Sequence, residues 1–171
     1  MDIRLGTKNL SALLLVGAVA LTLSSCGAPA HATAVADNEN PRLIVYAGGE
    51  SPGVEVQERA DAKDLRGAPR AFKRFIGNKA QRLTDRSSCT DGYVGVTVER
   101  VRTDGYSVGG VNDCGGYRAL WAEVDGRWTE IAGSQDVWNC GVLKRNVVPS
   151  SIAGNRCYDI RAQRVRHYHQ R

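Results

Sequence analysis

Histidine is scarce in this chain of 171 residues. Its three histidines are His31, close to the N-terminus, and His167 and His169, within the last five residues. Histidine supplies most general bases near neutral pH, because its unperturbed pKa is about 6.5. A Ser-His-Asp or Cys-His centre in the segment 43–160, which we expect to fold, would therefore need the C-terminal residues to fold back onto it.

A glycine-rich phosphate loop is also missing from the sequence. The segment 108–117, VGGVNDCGGY, contains four glycines. It matches neither the G-x-x-x-x-G-K-[ST] pattern nor a G-x-G-x-x-G motif placed between a strand and a helix. We therefore predict no cofactor.

The apolar run near the N-terminus is too short to be a comfortable membrane span. The run, Leu10–Leu23, is apolar or small throughout and carries no charge, whereas a membrane-spanning helix needs about 20 apolar residues. Arg4 and Lys8 precede it, and small residues follow it. A positive segment, an uncharged run of this length and small residues are together typical of a secretory signal.

The residues that end this signal, LSSC at positions 23–26, resemble the lipobox of bacterial lipoproteins. In that family the signal is cut before the cysteine, whose sulfur carries a diacylglyceryl group, with palmitate as an expected acyl chain. The resemblance implies a signal peptide over residues 1–25, a lipid on Cys26 and an extracytoplasmic location on a bacterial membrane. The alternative is an ordinary signal peptide that is cut further on, at APA or AHA.

The number of cysteines agrees with a lipid on Cys26. The chain has five cysteines, and an odd cysteine in an exported protein needs an explanation. A lipid on Cys26 leaves an even set in an oxidising compartment, where disulfides persist. That set is Cys89, Cys114, Cys140 and Cys157. Its spacing contains no C-x2-C pair, which structural zinc sites usually have, so we predict disulfides and no metal site.

Four cysteines allow three pairings, and their spacing alone does not choose among them. We favour Cys140 with Cys157 and Cys89 with Cys114. The first pair would close the segment 140–157, which has little strand pattern, and such a closure is worth about 3 kcal/mol in loop entropy. The second pair would tie the end of a helix to a strand hairpin.

The segment after the signal has too few large apolar residues to fold. Residues 26–42 begin with the lipidated cysteine and read as a flexible tether, and a tether of this length spans about 20 Å. Residues 43–160 are enough for one modest domain with its own core. Residues 161–171 form a basic tail.

Residues 68–83 have the spacing of an amphipathic helix. Phe72, Ile76 and Leu83, together with Phe75, recur near i, i+3, i+4 and i+7, the pattern of one apolar helix face. Pro69 suits the first turn, where its missing N–H group costs nothing. The basic side chains of this segment lie mainly off the apolar stripe, and we interpret them as a solvated face.

After Cys89 the pattern changes to strands. The segment 92–101, GYVGVTVERV, alternates valines with small or polar residues, and the segment 43–49, LIVYAGG, reads as a first strand. Asp-Gly pairs, which favour tight hairpins, occur at 91–92, 104–105 and 125–126. A helix followed by short, closely connected strands predicts an α+β fold, in which an amphipathic helix packs on an antiparallel β-meander stabilised by disulfides.

The segment 118–133, RALWAEVDGRWTEIAG, allows a sharper prediction. A two-residue turn at Asp125-Gly126 sets the register of this hairpin. The predicted pairs are Val124 with Arg127, Glu123 with Trp128, and Trp121 with Glu130. Alternation places one set of side chains toward the helix, namely Leu120, Ala122, Val124, Thr129 and Ile131. The opposite face carries Trp121, Glu123, Trp128 and Glu130.

This second face combines two tryptophans with two carboxylates. In one interpretation, the C-terminal segment covers the tryptophans and their N–H groups are hydrogen-bonded. In the other, the four residues form a partly open surface that binds a sugar, a cation or a peptide. Two carboxylates at the right separation also support glycoside chemistry, although the predicted register sets Glu123 and Glu130 two positions apart.

The formal net charge of the chain is +5, and +4 remains after the signal is removed. The last eleven residues contain four arginines and no acid, namely Arg161, Arg164, Arg166 and Arg171. Export argues against nucleic acid as their partner. We expect either a solvated terminus or attraction to anionic lipid or cell-wall polymer, with each arginine near a membrane adding about 1 kcal/mol.

These observations predict a cell-envelope lipoprotein that acts as a non-catalytic module and binds a protein or glycan ligand. The candidate binding surface is the set of two tryptophans and two glutamates defined above. One alternative is an envelope glycan hydrolase or transferase that uses the carboxylates of that face. Another is an inhibitor of a secreted enzyme that acts through the 140–157 loop.

Overall fold

The computed structural model of the protein describes residues 40–171. The predicted signal peptide, Cys26 and the tether up to residue 39 lie outside the described residues. In the described part no helix is both long enough and apolar enough to cross a membrane.

Eight strands and four helical segments make up the described chain. The strands are β1 (Leu43–Val45), β2 (Val54–Val56), β3 (Gly95–Arg102), β4 (Tyr106–Asn112), β5 (Gly116–Val124), β6 (Arg127–Ser134), β7 (Arg156–Asp159) and β8 (Arg164–His167). The helices are a 3-10 helix (Arg59–Asp64), α1 (Arg70–Arg86), α2 (Cys140–Arg145) and α3 (Ser150–Ala153).

The main sheet is an antiparallel meander of β3, β4, β5 and β6, extended at one edge. Both β1 and β2 pair with β3, which β4 flanks on the other side. The strands β7 and β8 form a separate antiparallel hairpin. The predicted α+β fold, with a helix on an antiparallel sheet and two disulfides, is confirmed.

The amphipathic pattern located α1, and the Asp-Gly pairs at 104–105 and 125–126 located two hairpins of the meander. The predicted helix over residues 68–83 corresponds to α1, although Pro69 is the residue before its first turn, and the apolar residues Phe72 and Ile76 are fully buried. Asp125 and Gly126 form a two-residue turn with φ values of 50° and 71°, and such a turn matches the twist of a hairpin. The Asp-Gly pair at 91–92 is an exception, since it lies in the segment that precedes β3 and joins no hairpin.

The predicted register of the β5–β6 hairpin is confirmed. Val124 lies opposite Arg127, Glu123 opposite Trp128, and Trp121 opposite Glu130. We predicted that the helix packs on the face that carries Leu120. That prediction was wrong, because α1 packs on the tryptophan face. The Phe72 ring lies 4.6 Å from the Trp128 ring and 6.4 Å from the Trp121 ring, between centroids. Alternation sorts side chains into two faces, but it does not say which layer each face meets.

The other face of the sheet is covered by the C-terminal third of the chain. Leu120 and Val108 of the sheet pack into a second core with Leu143 of α2 and Ile152 of α3. The segment 140–157 is therefore two short helices and the start of β7, and our prediction of an irregular loop was wrong. Helices of six and four residues are too short to show a helical period in the sequence.

The residues that we set apart as a basic tail belong to the fold. Tyr168 is only 4% exposed and joins the second core. Its hydroxyl donates to the carbonyl oxygen of Val148. The backbone of Gln170 is hydrogen-bonded to Ser150 in both directions, at 2.8 Å each. The boundary at residue 160 lies inside the C-terminal hairpin, because Tyr168 carries burial that the many arginines around it do not indicate. The four arginines themselves are exposed, as expected of solvated side chains.

The two disulfides join the pairs that we favoured from the sequence. Cys89 is bonded to Cys114 and Cys140 to Cys157. The first links the segment after α1 to the β4–β5 turn, and the second links α2 to β7. Since β7 belongs to the C-terminal hairpin, the second disulfide helps to hold that hairpin against the sheet.

Candidate functional site

The tryptophan–glutamate surface predicted from the sequence does not form an open site. Trp121 is 0% exposed and Trp128 is 8% exposed, and α1 covers both. Neither indole N–H has a hydrogen-bond partner among residues 40–171. The interpretation as an open surface was wrong. The burial interpretation was right about burial but wrong about the covering segment and about the hydrogen bonds.

The two glutamates of that surface have different environments. Glu123 is exposed beside the β3–β4 turn, where its Cβ lies close to Gly105. Glu130 is half-buried, and its Oε2 atom lies 2.8 Å from the Nζ atom of Lys79 on α1. The Tyr117 hydroxyl donates to Oε1 of Glu130 at 3.0 Å. Glu130 therefore joins α1 to the sheet as a structural contact.

Tyr117 keeps its proton in this arrangement. Burial raises the pKa of the Tyr117 hydroxyl to about 12, and the neighbouring Glu130 carboxylate adds to the shift. The hydroxyl is therefore a hydrogen-bond donor at any physiological pH. Glu130 is held by this donor and by the ammonium group of Lys79.

The C-terminal histidines do not form a catalytic arrangement with the described side chains. His167 and His169 are both exposed, on either side of the buried Tyr168. Within residues 40–171, neither imidazole makes a side-chain hydrogen bond of the kind that a histidine base makes with its nucleophile. The side chains of Cys89, Asp113 and Cys114 have the spacing of metal ligands, but the two sulfurs are bonded to each other and offer no thiolate.

The C-terminal layer carries the positive charge of this protein. Residues 137–171 contain seven basic residues and one acid, whereas the net charge of the whole chain is only +5. The one acid, Asp159, lies 2.7 Å from the Nε atom of Arg166. Its Oδ1 atom also accepts hydrogen bonds from the backbone N–H groups of Arg161 and Ala162, at 3.1 Å each.

These contacts shape the turn between β7 and β8. The backbone hydrogen bond from Ala162, followed by the charge of Arg166, holds the pKa of Asp159 below its ordinary value. The carboxylate is therefore ionised, and its oxygens bind groups within the turn. The other cations of the layer carry no acidic partner among the described residues. They are Lys144, Arg145, Arg156, Arg161, Arg164 and Arg171.

Large apolar side chains are exposed on the same hairpin. Tyr158 and Val165 face each other across β7 and β8, and both are exposed. Ile160, at the start of the turn, is 63% exposed. We call Tyr158, Ile160 and Val165 the hairpin patch. A cleft of about 440 Å³ between α2 and the hairpin is lined by Ile160 together with Lys144, Arg145 and Arg161.

The sequence showed the cations of this layer but not the patch. The arginines stand out in the composition, whereas three apolar residues spread over eight positions show no obvious run. One signal in the sequence could have indicated the patch. Tyr158 and Val165 lie on either side of a short segment that could close a hairpin, and such a hairpin would place them opposite each other. Chemically, the arrangement suits an anionic surface with an apolar layer beneath it.

Comparison of the chain with protein-family models, with curated proteins and with solved structures found no match.

Proposed function

We propose that this protein is a non-catalytic module of the bacterial cell envelope, held on the outer side of a membrane by a lipid on Cys26. The four cysteines of the folded part are used in two disulfides. That leaves Cys26 as the fifth cysteine of the chain, at the position where the lipobox resemblance calls for a lipid.

The binding partner in this proposal is an anionic bilayer, which the hairpin patch contacts. The observation that carries it is the exposure of Tyr158, Ile160 and Val165 within a layer of unpaired cations. Cations near an anionic leaflet each contribute about 1 kcal/mol, and apolar side chains gain further by entering the interface. A soluble anionic cell-wall polymer would bind the cations but would leave the apolar side chains in water.

The tether adds to this proposal through effective concentration. The tether expected from the sequence over residues 26–42 would span about 20 Å, so an anchored domain would stay close to the headgroups. A surface interaction that is weak in solution becomes substantial when the second contact is intramolecular. The lipid supplies attachment, and the hairpin patch supplies orientation.

We expect Cys26→Ala to abolish lipid attachment. The substitution removes the only lipid site in the proposal, and a single electrostatic contact is reversible and sensitive to salt. Fractionation of cells that express the full chain, with a high-salt wash, measures the effect. The variant should appear in the soluble fraction or remain unprocessed, and normal lipid labelling of the variant would contradict the anchor.

The hairpin patch is tested separately with vesicles. We expect Ile160→Ser combined with Arg161→Gln to weaken binding to phosphatidylglycerol-containing vesicles by at least about tenfold, since one cation and one exposed apolar side chain that would enter the bilayer interface are lost. The measurement is co-sedimentation of the chain from residue 26 onward, with Cys26→Ala, so that the lipid does not dominate.

A matched control changes the same residue types on the other hairpin. Val124 and Arg127 are an exposed pair beside the β5–β6 turn, and Val124→Ser with Arg127→Gln should change vesicle binding less than about twofold. Equal binding to neutral phosphatidylcholine vesicles, or an equal loss in the control, would contradict the bilayer as the partner. Binding to an anionic cell-wall polymer but not to vesicles would replace it with that polymer.

The two alternative functions rest on features that the fold uses in other ways. A glycan hydrolase or transferase would need Glu130 free, whereas it is held by Lys79 and Tyr117. An inhibitory loop would need the segment 140–157 to protrude. Leu143 and Ile152 of that segment are instead buried in the second core.

A further inference from the structure

A second cationic site lies on the side of the sheet that α1 covers. The 3-10 helix and α1 enclose a cleft of about 580 Å³. Four basic side chains line it, two from each element, namely Arg59, Lys63, Lys73 and Arg74. We call these residues the α1 cleft, and they are separate from the hairpin patch in both sequence and layer.

The close approach of the two helical elements depends on Gly77. This glycine is buried in α1, and a Cβ atom there would lie 3.0 Å from the Arg59 carbonyl oxygen and 3.2 Å from the Ala62 Cβ atom. A side chain at this position would push the 3-10 helix away. The glycine therefore brings cations from two elements to one cavity.

The side chains of the cleft are oriented by neutral partners. The Asn78 Oδ1 atom accepts a hydrogen bond from Nε of Arg59 at 2.8 Å, which leaves both terminal nitrogens of the guanidinium available. Lys73 is half-buried, and its Nζ atom lies 3.4 Å from the Lys63 carbonyl oxygen. Since a carbonyl accepts one of the three N–H groups of the ammonium, two remain for another partner.

Among residues 40–171 the four cations form no ion pair with a carboxylate, although Asp61 lies close enough to Lys63 to interact with its charge. The nearby Asp61 carboxylate accepts hydrogen bonds from the backbone N–H groups of Gln57 and Glu58, at 2.9 and 3.0 Å. Four like charges around one cavity repel one another, so a bound anion would relieve a cost that the free protein carries.

We infer that the α1 cleft binds a small anion that carries two or more phosphate groups, with Arg59 and Lys73 as the main contacts. An arginine fork matches the geometry of phosphate oxygens, and a lysine acts as a compact point charge. The lining holds no aromatic side chain on which a sugar or base would stack. The phosphate groups belong either to a soluble molecule or to a lipid headgroup.

The test measures binding of sodium tripolyphosphate to the purified full chain by calorimetry. We expect Arg59→Gln combined with Lys73→Gln to weaken binding by at least about tenfold, since two charge-assisted contacts are lost. Arg82→Gln is the matched control. Arg82 is an exposed arginine on α1 outside the cleft, and its removal should change binding less than about twofold.

Two further variants make the outcome independent of folding defects. Arg74 is exposed on α1, so Arg74→Gln leaves the core unchanged and should weaken binding by a smaller factor. Asn78→Ala tests orientation, since it removes the acceptor for Arg59 but keeps all four charges, and it should also weaken binding. Absence of binding by the unchanged protein, or an equal loss with Arg82→Gln, would overturn the site.

A vesicle arm distinguishes the two sources of phosphate. Vesicles that contain cardiolipin, whose headgroup carries two phosphate groups, replace tripolyphosphate, and the cleft variants are compared with the hairpin variant Ile160→Ser/Arg161→Gln. If the cleft variants lose tripolyphosphate binding alone, the ligand is a soluble phosphate compound, and if they also lose vesicle binding, it is a headgroup. Because the two sets of variants lie in different layers, failure of the cleft and failure of the hairpin patch give different results.

Discussion

Phe72→Ala is expected to lower the free energy of unfolding by about 4 kcal/mol, the range for a large aromatic truncated in a core. Phe72 is fully buried on α1, and its ring meets both tryptophans of the β5–β6 hairpin. The truncation removes the aromatic contacts and leaves a cavity between helix and sheet. Urea denaturation followed by circular dichroism measures the loss.

A control on the same helix separates burial from helix propensity. Phe75 is partly buried and packs at the edge of the same core, so Phe75→Ala should cost only about half as much, in proportion to the apolar area that it buries. Tryptophan emission should shift to the red in Phe72→Ala, because water reaches the rings. An equal loss of the free energy of unfolding in the two variants would show that α1 does not pack on the tryptophans.

Gly109→Ala is expected to cost about 3 kcal/mol, the upper part of the range for overpacking. Gly109 lies at the centre of β4, and an added Cβ atom would meet the Thr97 carbonyl group of the neighbouring strand and come within 3.0 Å of the Trp121 ring. A backbone carbonyl cannot turn aside as a flexible side chain does. The sheet would have to shift at the bulge between Val98 and Arg100.

The adjacent glycine provides a control within one residue. At Gly110 an added Cβ atom would lie no closer than 3.8 Å to the Tyr117 carbonyl oxygen. Gly110→Ala should therefore be neutral, or should stabilise the protein by up to about 1 kcal/mol, since glycine is entropically unfavourable in a strand. Thermal unfolding of both variants tests the contrast. Similar melting temperatures would contradict the close approach at Gly109.

The local features of this fold were predictable because they depend on neighbours in sequence. The turn at Asp125-Gly126 sets the pairing of Trp121 with Glu130, and that register was correct. The helix α1 was visible from the spacing of Phe72 and Ile76. Both predictions use a fixed period, which is a property of the backbone and needs no knowledge of distant residues.

The candidate sites were less predictable, because exposure is decided by distant residues. The tryptophan–glutamate face was a reasonable choice from the sequence, yet α1 covers its two tryptophans. The hairpin patch was missed, since Tyr158 and Ile160 could equally have been buried. The α1 cleft was seen only as a solvated basic face, because the contribution of Arg59 comes from another element.

The sequence by itself determined the helix α1, the strands of the meander, the register of the β5–β6 hairpin, the even set of four domain cysteines and the excess of positive charge near the C-terminus. Those follow from local periodicity, turn chemistry and composition. The tertiary structure alone decided which layer covers each face of the sheet, and that Tyr168 belongs to the core. It also decided that cations from the 3-10 helix and α1 share one cavity. The physical reason is that burial and charge clustering depend on contacts between residues far apart in the chain, which no local pattern encodes.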